Sequence, residues 1–172
     1  MKILTALLIT GLTAAAVNGQ TLRPPAAHRP PVIKGTTLGS RVMLTCNDVA
    51  QADVDECLKG NYSGEHNGAI VTVKASVVVK IEANLRGTAT DAMVTAFEKF
   101  GAPTKTLDVP YHNAMGATWT DTMYTWVDDS QGTEVTLYID GNPANPIINI
   151  TAMTAEEAKI EDATKQSKPE AF

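Results

Sequence analysis

The chain reads as an α+β domain: a curved antiparallel β-sheet of about five to seven strands, one amphipathic helix over its apolar face and a charged C-terminal helix. Three observations predict it. Apolar residues alternate from Ala69 to Leu85, an apolar stripe of helical period runs from Thr88 to Phe100, and strand-like segments separated by turn formers fill Thr104 to Ala152.

Met1 to about Gly19 reads as a signal peptide, with Lys2 as a minimal positive start, an uncharged apolar stretch from Ile3 to Val17 and small residues at Val17-Asn18-Gly19. Ala14-Ala15-Ala16 offers a competing cleavage site. The stretch is shorter than the roughly 20 apolar residues needed to span a bilayer. No Cys follows either site to carry a lipid, so no membrane anchor is expected and the product is soluble, periplasmic or secreted. Removal of the leader takes Lys2 and no acid, leaving 13 Lys and Arg against 19 Asp and Glu, a balance of −6. With no cluster of cations, a nucleic-acid partner is excluded. Pro24, Pro25, Pro30 and Pro31 make 20–32 an extended tether in which His28 and Arg29 are solvated. A single domain is expected over 33–152, followed by a charged helix and tail over 153–172.

Within the domain, Val42 and Leu44 alternate with Arg41 and Met43 as an edge strand. Two cysteines in an exported chain, Cys46 and Cys57, are expected to pair. A continuous helix between them would separate their Cα atoms by about 16 Å, whereas a disulfide tolerates at most about 7 Å. The disulfide is therefore retained, with a short helical turn after Ala50. No Cys-x-x-Cys spacing points to redox chemistry. Gly60-Asn61-Tyr62-Ser63-Gly64 reads as a loop.

From Ala69 to Leu85 every odd position is apolar. One strand of that length would run about 56 Å, so a reversal is expected near Lys74 to Val77. A two-residue turn would swap the apolar and polar sets between its arms. A three- or five-residue loop keeps the odd set inward, and a single bulged, bent strand is the alternative. In the helix Thr88 to Phe100, Ala89, Ala92, Met93, Ala96, Phe97 and Phe100 share one face, Thr88 caps the start, and Gly101 with Pro103 ends it. Strands follow at 104–109, 117–127 with a break admitted at Thr120-Asp121, 133–140 and 147–152. Asp128 to Gly132 and Asp140 to Asn145 supply hairpin loops. Thr154-Ala155-Glu156-Glu157 is a capping box that starts a helix to about Lys165, with Ala155, Ala158 and Ile160 available to dock.

The aromatic residues Tyr111, Trp119, Tyr124, Trp126 and Tyr138 gather in one strand region. Such residues either fill core or form an exposed patch that anchors a partner or a sugar. His112 sits in an apparent loop between Pro110 and Gly116, beside Tyr111 and Asn113. The candidate binding surface is therefore Tyr111, His112, Trp119, Tyr124 and Trp126. No catalytic residue is assigned, because no Gly-x-Ser-x-Gly elbow occurs and neither cysteine is free. His28, His66 and His112 lack metal-ligand spacing. Asp128, Asp129, Ser130 and Glu134 resemble a fragment of a calcium loop but read better as an acidic hairpin tip. No metal and no cofactor is expected. Asn61-Tyr62-Ser63 and Asn149-Ile150-Thr151 match a glycosylation pattern, which matters only in a eukaryotic secretory pathway.

The run Ala-Phe-Glu-Lys-Phe-Gly-Ala-Pro-Thr over 96–104, followed by Asn113, Gly116, Trp119 and Trp126, resembles small uncharacterised exported bacterial proteins in which a helix ending Lys-aromatic-Gly-x-Pro-Thr precedes an antiparallel sheet. The resemblance covers about Ile70 to Ile150. It implies a bacterial envelope setting and a helix packed on a sheet, similar to the folds of beta-lactamase-inhibitor-like proteins and outer-membrane-assembly lipoproteins, although the latter's lipidated Cys is missing. The leading functional expectation is a non-enzymatic binding module whose partner is another envelope or extracellular protein. Two alternatives are a small hydrolase or isomerase with its site near His112, and a structural envelope-assembly subunit.

Overall fold

A computed structural model describes residues 29–42, 46, 53–112, 115–142 and 147–167. The signal peptide, most of the tether, Leu44, Asn113 and the tail from 168 lie outside the described residues. The N-terminal segment forms a small hairpin, β1 (Val32–Ile33) and β2 (Thr36–Thr37), and is followed by a short helix, α1 (Val54–Leu58). Then come β3 (Tyr62–His66), β4 (Ala69–Lys74), β5 (Val77–Asn84), α2 (Ala89–Phe100), β6 (Lys105–His112), β7 (Thr118–Asp128), β8 (Thr133–Ile139), β9 (Ile148–Thr154) and α3 (Ala155–Ser167). The last seven strands make one antiparallel sheet in the order β3-β4-β5-β9-β8-β7-β6. A first meander, β3 to β5, thus passes through α2 to the far edge, and a second, β6 to β9, returns to the centre beside β5.

Turn chemistry decides the first meander. Asn67 and Gly68, with φ of 53° and 76°, form the two-residue connection between β3 and β4. Tyr62 to Gly64, expected as loop, is therefore strand, because this turn brings Tyr62 opposite Val73 and Gly64 opposite Val71. Ala75 and Ser76 likewise have positive φ, 49° and 63°, so the reversal between β4 and β5 is also two residues long. The parity swap expected of such a turn occurs and is then undone. Val73 faces Val78 next to the turn, but Thr72 faces Lys80, which leaves Val79 as an extra, bulged residue. Val78 is consequently fully buried near the turn, and Ile81 and Ala83 are buried beyond it. Gly60 locks the arrangement from outside: Ser76 N–H donates to its carbonyl at 2.9 Å, and a side chain there would stand 2.6 Å from the Ser76 nitrogen.

The apolar face of the sheet, built on Val71, Val73, Val78, Ile81, Ala83, Trp126, Val135, Leu137, Ile150 and Ala152, packs against α2. That helix buries Ala92 and Ala96 and brings Met93, Phe97 and Phe100 against the core. Thr88 Oγ1 accepts from Asp91 N–H at 3.1 Å, and Gly101, with φ of 81°, ends the helix by donating to the Phe97 carbonyl. Ile33 and Leu38 extend the core at the N-terminal side. Of the edge strand expected around Val42, the described part pairs with β5, through the isolated bridge of Arg41 to Val77 and the Val42 N–H donated to the Ser76 carbonyl at 3.0 Å, while Met43 and Leu44 lie outside the described residues; ahead of it, Lys34 and Gly35 adopt positive φ and turn β1 into β2. Cys46 and Cys57 are bonded with Cα atoms 5.8 Å apart. Helix and disulfide coexist because α1 begins only at Val54, leaving Cys46 outside it.

On the opposite face lies α3, whose Thr154 cap accepts from Glu157 N–H at 3.3 Å. Glu157 does not complete the capping box; its carboxylate turns to Lys74 at 2.5 Å. Lys80 contacts both Glu82, at 3.1 Å, and Glu161. Burial disfavours the charge on Lys80, but the hydrogen bonds to Glu161 and Glu82 outweigh it and its pKa is raised. Among the described residues no helix is long and apolar enough to cross a membrane.

Candidate functional site

The distal end of the sheet is a two-stranded wing. Directly opposed residues of β6 and β7 share a face, and successive residues alternate. One face of the wing therefore carries the pairs Leu107 with Met123, Val109 with Asp121 and Tyr111 with Trp119. The other carries Asp108 with Thr122, Pro110 with Thr120 and His112 with Thr118. Every residue of β6 is exposed, including Leu107 at 42 %, Val109 at 43 % and Tyr111 at 50 %.

The five residues of the candidate surface divide between these faces. Trp126, 6 % exposed, belongs to the core: its ring meets Phe97 and Phe100 at centroid distances of 5.9 and 5.6 Å, and its Nε1 donates to the Gly101 carbonyl at 2.9 Å. Tyr124 stands edge-on to Phe97 at 5.4 Å and donates its hydroxyl to Met93 Sδ at 3.3 Å. Both residues thus leave the candidate surface. Tyr111 and Trp119 stack instead on the outer face, with centroids 4.7 Å apart and planes inclined by 28°. His112 is exposed on the opposite face of the wing, and no described residue hydrogen-bonds its ring. Tyr111 and His112 are strand rather than loop, because pairing with Thr118 and Trp119 carries β6 past Pro110, a residue that edge strands tolerate.

Next to the stacked rings, Asp121 accepts the Tyr138 hydroxyl at 2.6 Å and the Gly141 N–H at 3.0 Å. Gly141 is required there, since a side-chain carbon would fall 2.0 Å from the Thr120 carbonyl oxygen. The Tyr138 hydrogen bond, then that of Gly141, holds the Asp121 carboxyl below its usual range. The same bond, reinforced by burial, pushes the Tyr138 phenol up to about 12. Asp121 is therefore an anion at neutral pH, and no ion pair among the described residues involves it. Charge around the wing is lopsided. Residues 105–140, which add β8 and the adjoining loops to the wing, hold Lys105 against Asp108, Asp121, Asp128, Asp129, Glu134 and Asp140, a balance of −5, while the remaining residues carry 13 of each sign.

A concavity of about 570 Å³ lies between α1 and β3–β4 and is lined by Asp53, Glu56, Asn61, Tyr62, Ser63 and Thr72 among others. Its polar groups serve one another. Glu56 accepts from Lys59 at 2.7 Å and from Asn61 at 2.8 Å, which together keep its carboxyl low, and Asn61 Oδ1 accepts from Ala75 N–H at 3.1 Å. At the β7–β8 loop, Asp128 Oδ1 accepts from Ser130 and Gln131 N–H at 3.0 and 3.2 Å, the geometry of a side-chain-closed turn. Among the described residues no group of three or more His, Cys, Asp or Glu is placed to hold a metal ion.

No family model, curated protein or solved structure matches the chain. Alternation along β6 and β7 was the signal that could have separated Trp119 from Trp126, which are seven residues apart and so lie on opposite faces of one strand.

Proposed function

We propose that the protein is an exported, non-enzymatic interaction module, acting in the periplasm or outside the cell, whose contact surface is the outer face of the β6–β7 wing. One observation carries the reading: Leu107, Val109, Tyr111 and Trp119 form an apolar, aromatic face that the fold does not use. Contiguous exposed apolar surface on a folded domain marks a contact site, and Tyr and Trp are its usual anchors. Export rests on the apolar leader and the Cys46–Cys57 bond. The alternative enzyme reading draws no support from His112, which is exposed on the face of the wing away from the aromatic pair.

The test is retention of envelope or extracellular proteins on the immobilised mature domain, compared across Tyr111→Ala, Leu107→Lys and a control on the same face at the opposite end of the sheet, Ile70→Lys. Loss of a retained partner with the first two, and retention with the control, is expected. Equal retention by all three refutes the assignment of the surface.

A further inference from the structure

The outer face of the wing ends at a free strand edge, and this edge limits what can bind there. We infer that β6 accepts an extended segment of a basic partner as an eighth strand, one that alternates apolar residues with Lys or Arg. The inference rests on the contact surface assigned above and names the chemistry of its occupant.

Four observations combine. β6 is an edge strand of eight residues, all exposed, so its outward N–H and C=O groups form a ready template for pairing. Its two faces differ in kind. Leu107, Val109 and Tyr111 on one side would lie beside apolar guest residues, whereas Thr106, Asp108 and His112 on the other would lie beside their alternate neighbours. Alternation in the guest must match alternation in β6, and the residue opposite or diagonal to Asp108 is best a cation. The charge nearest the edge fits the same guest, since β6 and β7 carry Lys105 against Asp108, Asp121 and Asp128. A second copy paired about Asp108 would set acid against acid. Finally, β6 contains Pro110, a residue confined to edge strands, which agrees with an edge left open by the sheet itself.

The experiment is a titration of the oxidised mature protein, followed by backbone amide NMR and hydrogen exchange. The probe is a seven-residue peptide alternating Val and Lys; the comparisons are a Val–Glu peptide and the Val–Lys peptide with a central Pro. The Val–Lys peptide is expected to shift and protect amides of β6, to bind more weakly as salt is raised, and to lose affinity about tenfold against Asp108→Lys, the effect of exchanging a cross-strand attraction for a repulsion. The Ile70→Lys control should bind as wild type, and unchanged backbone amide spectra away from β6 verify the fold of each variant. Equal binding of the Val–Glu or Pro peptide overturns the inference, as do shifts confined to the cleft beside β3. A concentration-dependent dimer that protects β6 amides without peptide also overturns it, by making a second copy the occupant. Failure here while partner retention still depends on Tyr111 sinks strand addition alone, and retention independent of Tyr111 sinks the contact surface as well.

Discussion

At one end of the sheet, β3 spans five residues, exposes Ser63, Glu65 and His66, and adjoins the α1 turn that a disulfide ties to the N-terminal segment. At the other end, β6 spans eight residues, exposes Leu107, Val109 and Tyr111, and has no helix across its outer face among the described residues. Short, polar, braced edges are the ordinary way a sheet avoids unwanted pairing. The β3 end follows that rule and the β6 end departs from it. Neither end could be exchanged for the other without moving the core, because both α2 and the N-terminal hairpin pack on the inner face. The difference separates residues that hold the fold from residues that the fold merely presents.

Two tryptophans on β7 test that separation most severely. Trp126→Ala removes a buried ring, its contacts with Phe97 and Phe100 and a hydrogen bond to Gly101, and is expected to cost about 3–5 kcal/mol. Trp119→Ala removes the stacked partner of Tyr111 and a hydrogen bond to Asp121, and is expected to cost within about 1 kcal/mol. Urea melts of the two variants measure both; equal losses would mean that the wing is part of the core.

The disulfide sharpens the same contrast from the other end. Replacing Cys46 and Cys57 together by Ser releases a loop of about a dozen residues, worth roughly 3 kcal/mol of chain entropy. The destabilisation should be accompanied by faster hydrogen exchange at α1 and β3, with β6 amides unchanged relative to the global rate. Accelerated exchange that begins at β6 would show that the two ends are not independent. A smaller effect is expected at the helix joining the two meanders: Thr88→Ala leaves Asp91 N–H without its cap and should cost about 1 kcal/mol, read by thermal unfolding.

How much of this was legible beforehand depended on whether one local signal decided each element. The cap, stripe and stop of α2 agree with one another, so Ala89–Phe100 follows from the residues alone. The pairing of Cys46 with Cys57 followed from distance, and the α+β architecture from periodicity. β3 was missed because Gly60 and Gly64 outweighed the Asn67-Gly68 turn, the stronger hairpin signal. The reversal near Lys74 to Val77 followed from strand length, but its two-residue form did not, because Ala75 and Ser76 stand where Gly and Asn are usual and the bulge restores the alternation the turn had interrupted. In the candidate site, Tyr111 and Trp119 were named together with Tyr124 and Trp126 because clustering in sequence says nothing of face. Asp121 and Tyr138 escaped notice as a pair, since their contact arises only when β7 and β8 are in register.

That pair offers the mildest way to probe the wing, through pH. Asp121 has its pKa depressed, so its bond to Tyr138 stabilises the fold above the ordinary carboxylate range, near pH 4, and the contribution is lost as pH falls through the lowered value. Tyr138 has its pKa raised to about 12, first by Asp121 and then by burial, so its contribution is complete below pH 10 and is lost as pH rises from there through 12. Tyr138→Phe should therefore lower the middle of the stability profile, by a small amount because the pair is partly exposed and screened, and leave both ends as in wild type, so that the profile flattens. Asp121→Asn should flatten the same two limbs, and the double variant should add little to either single change, as expected of partners in one bond. Hydrogen exchange at β3 should be indifferent throughout. If it responded to these changes as strongly as β6 does, the aromatic–carboxylate tie would be holding the whole sheet rather than the root of its exposed end.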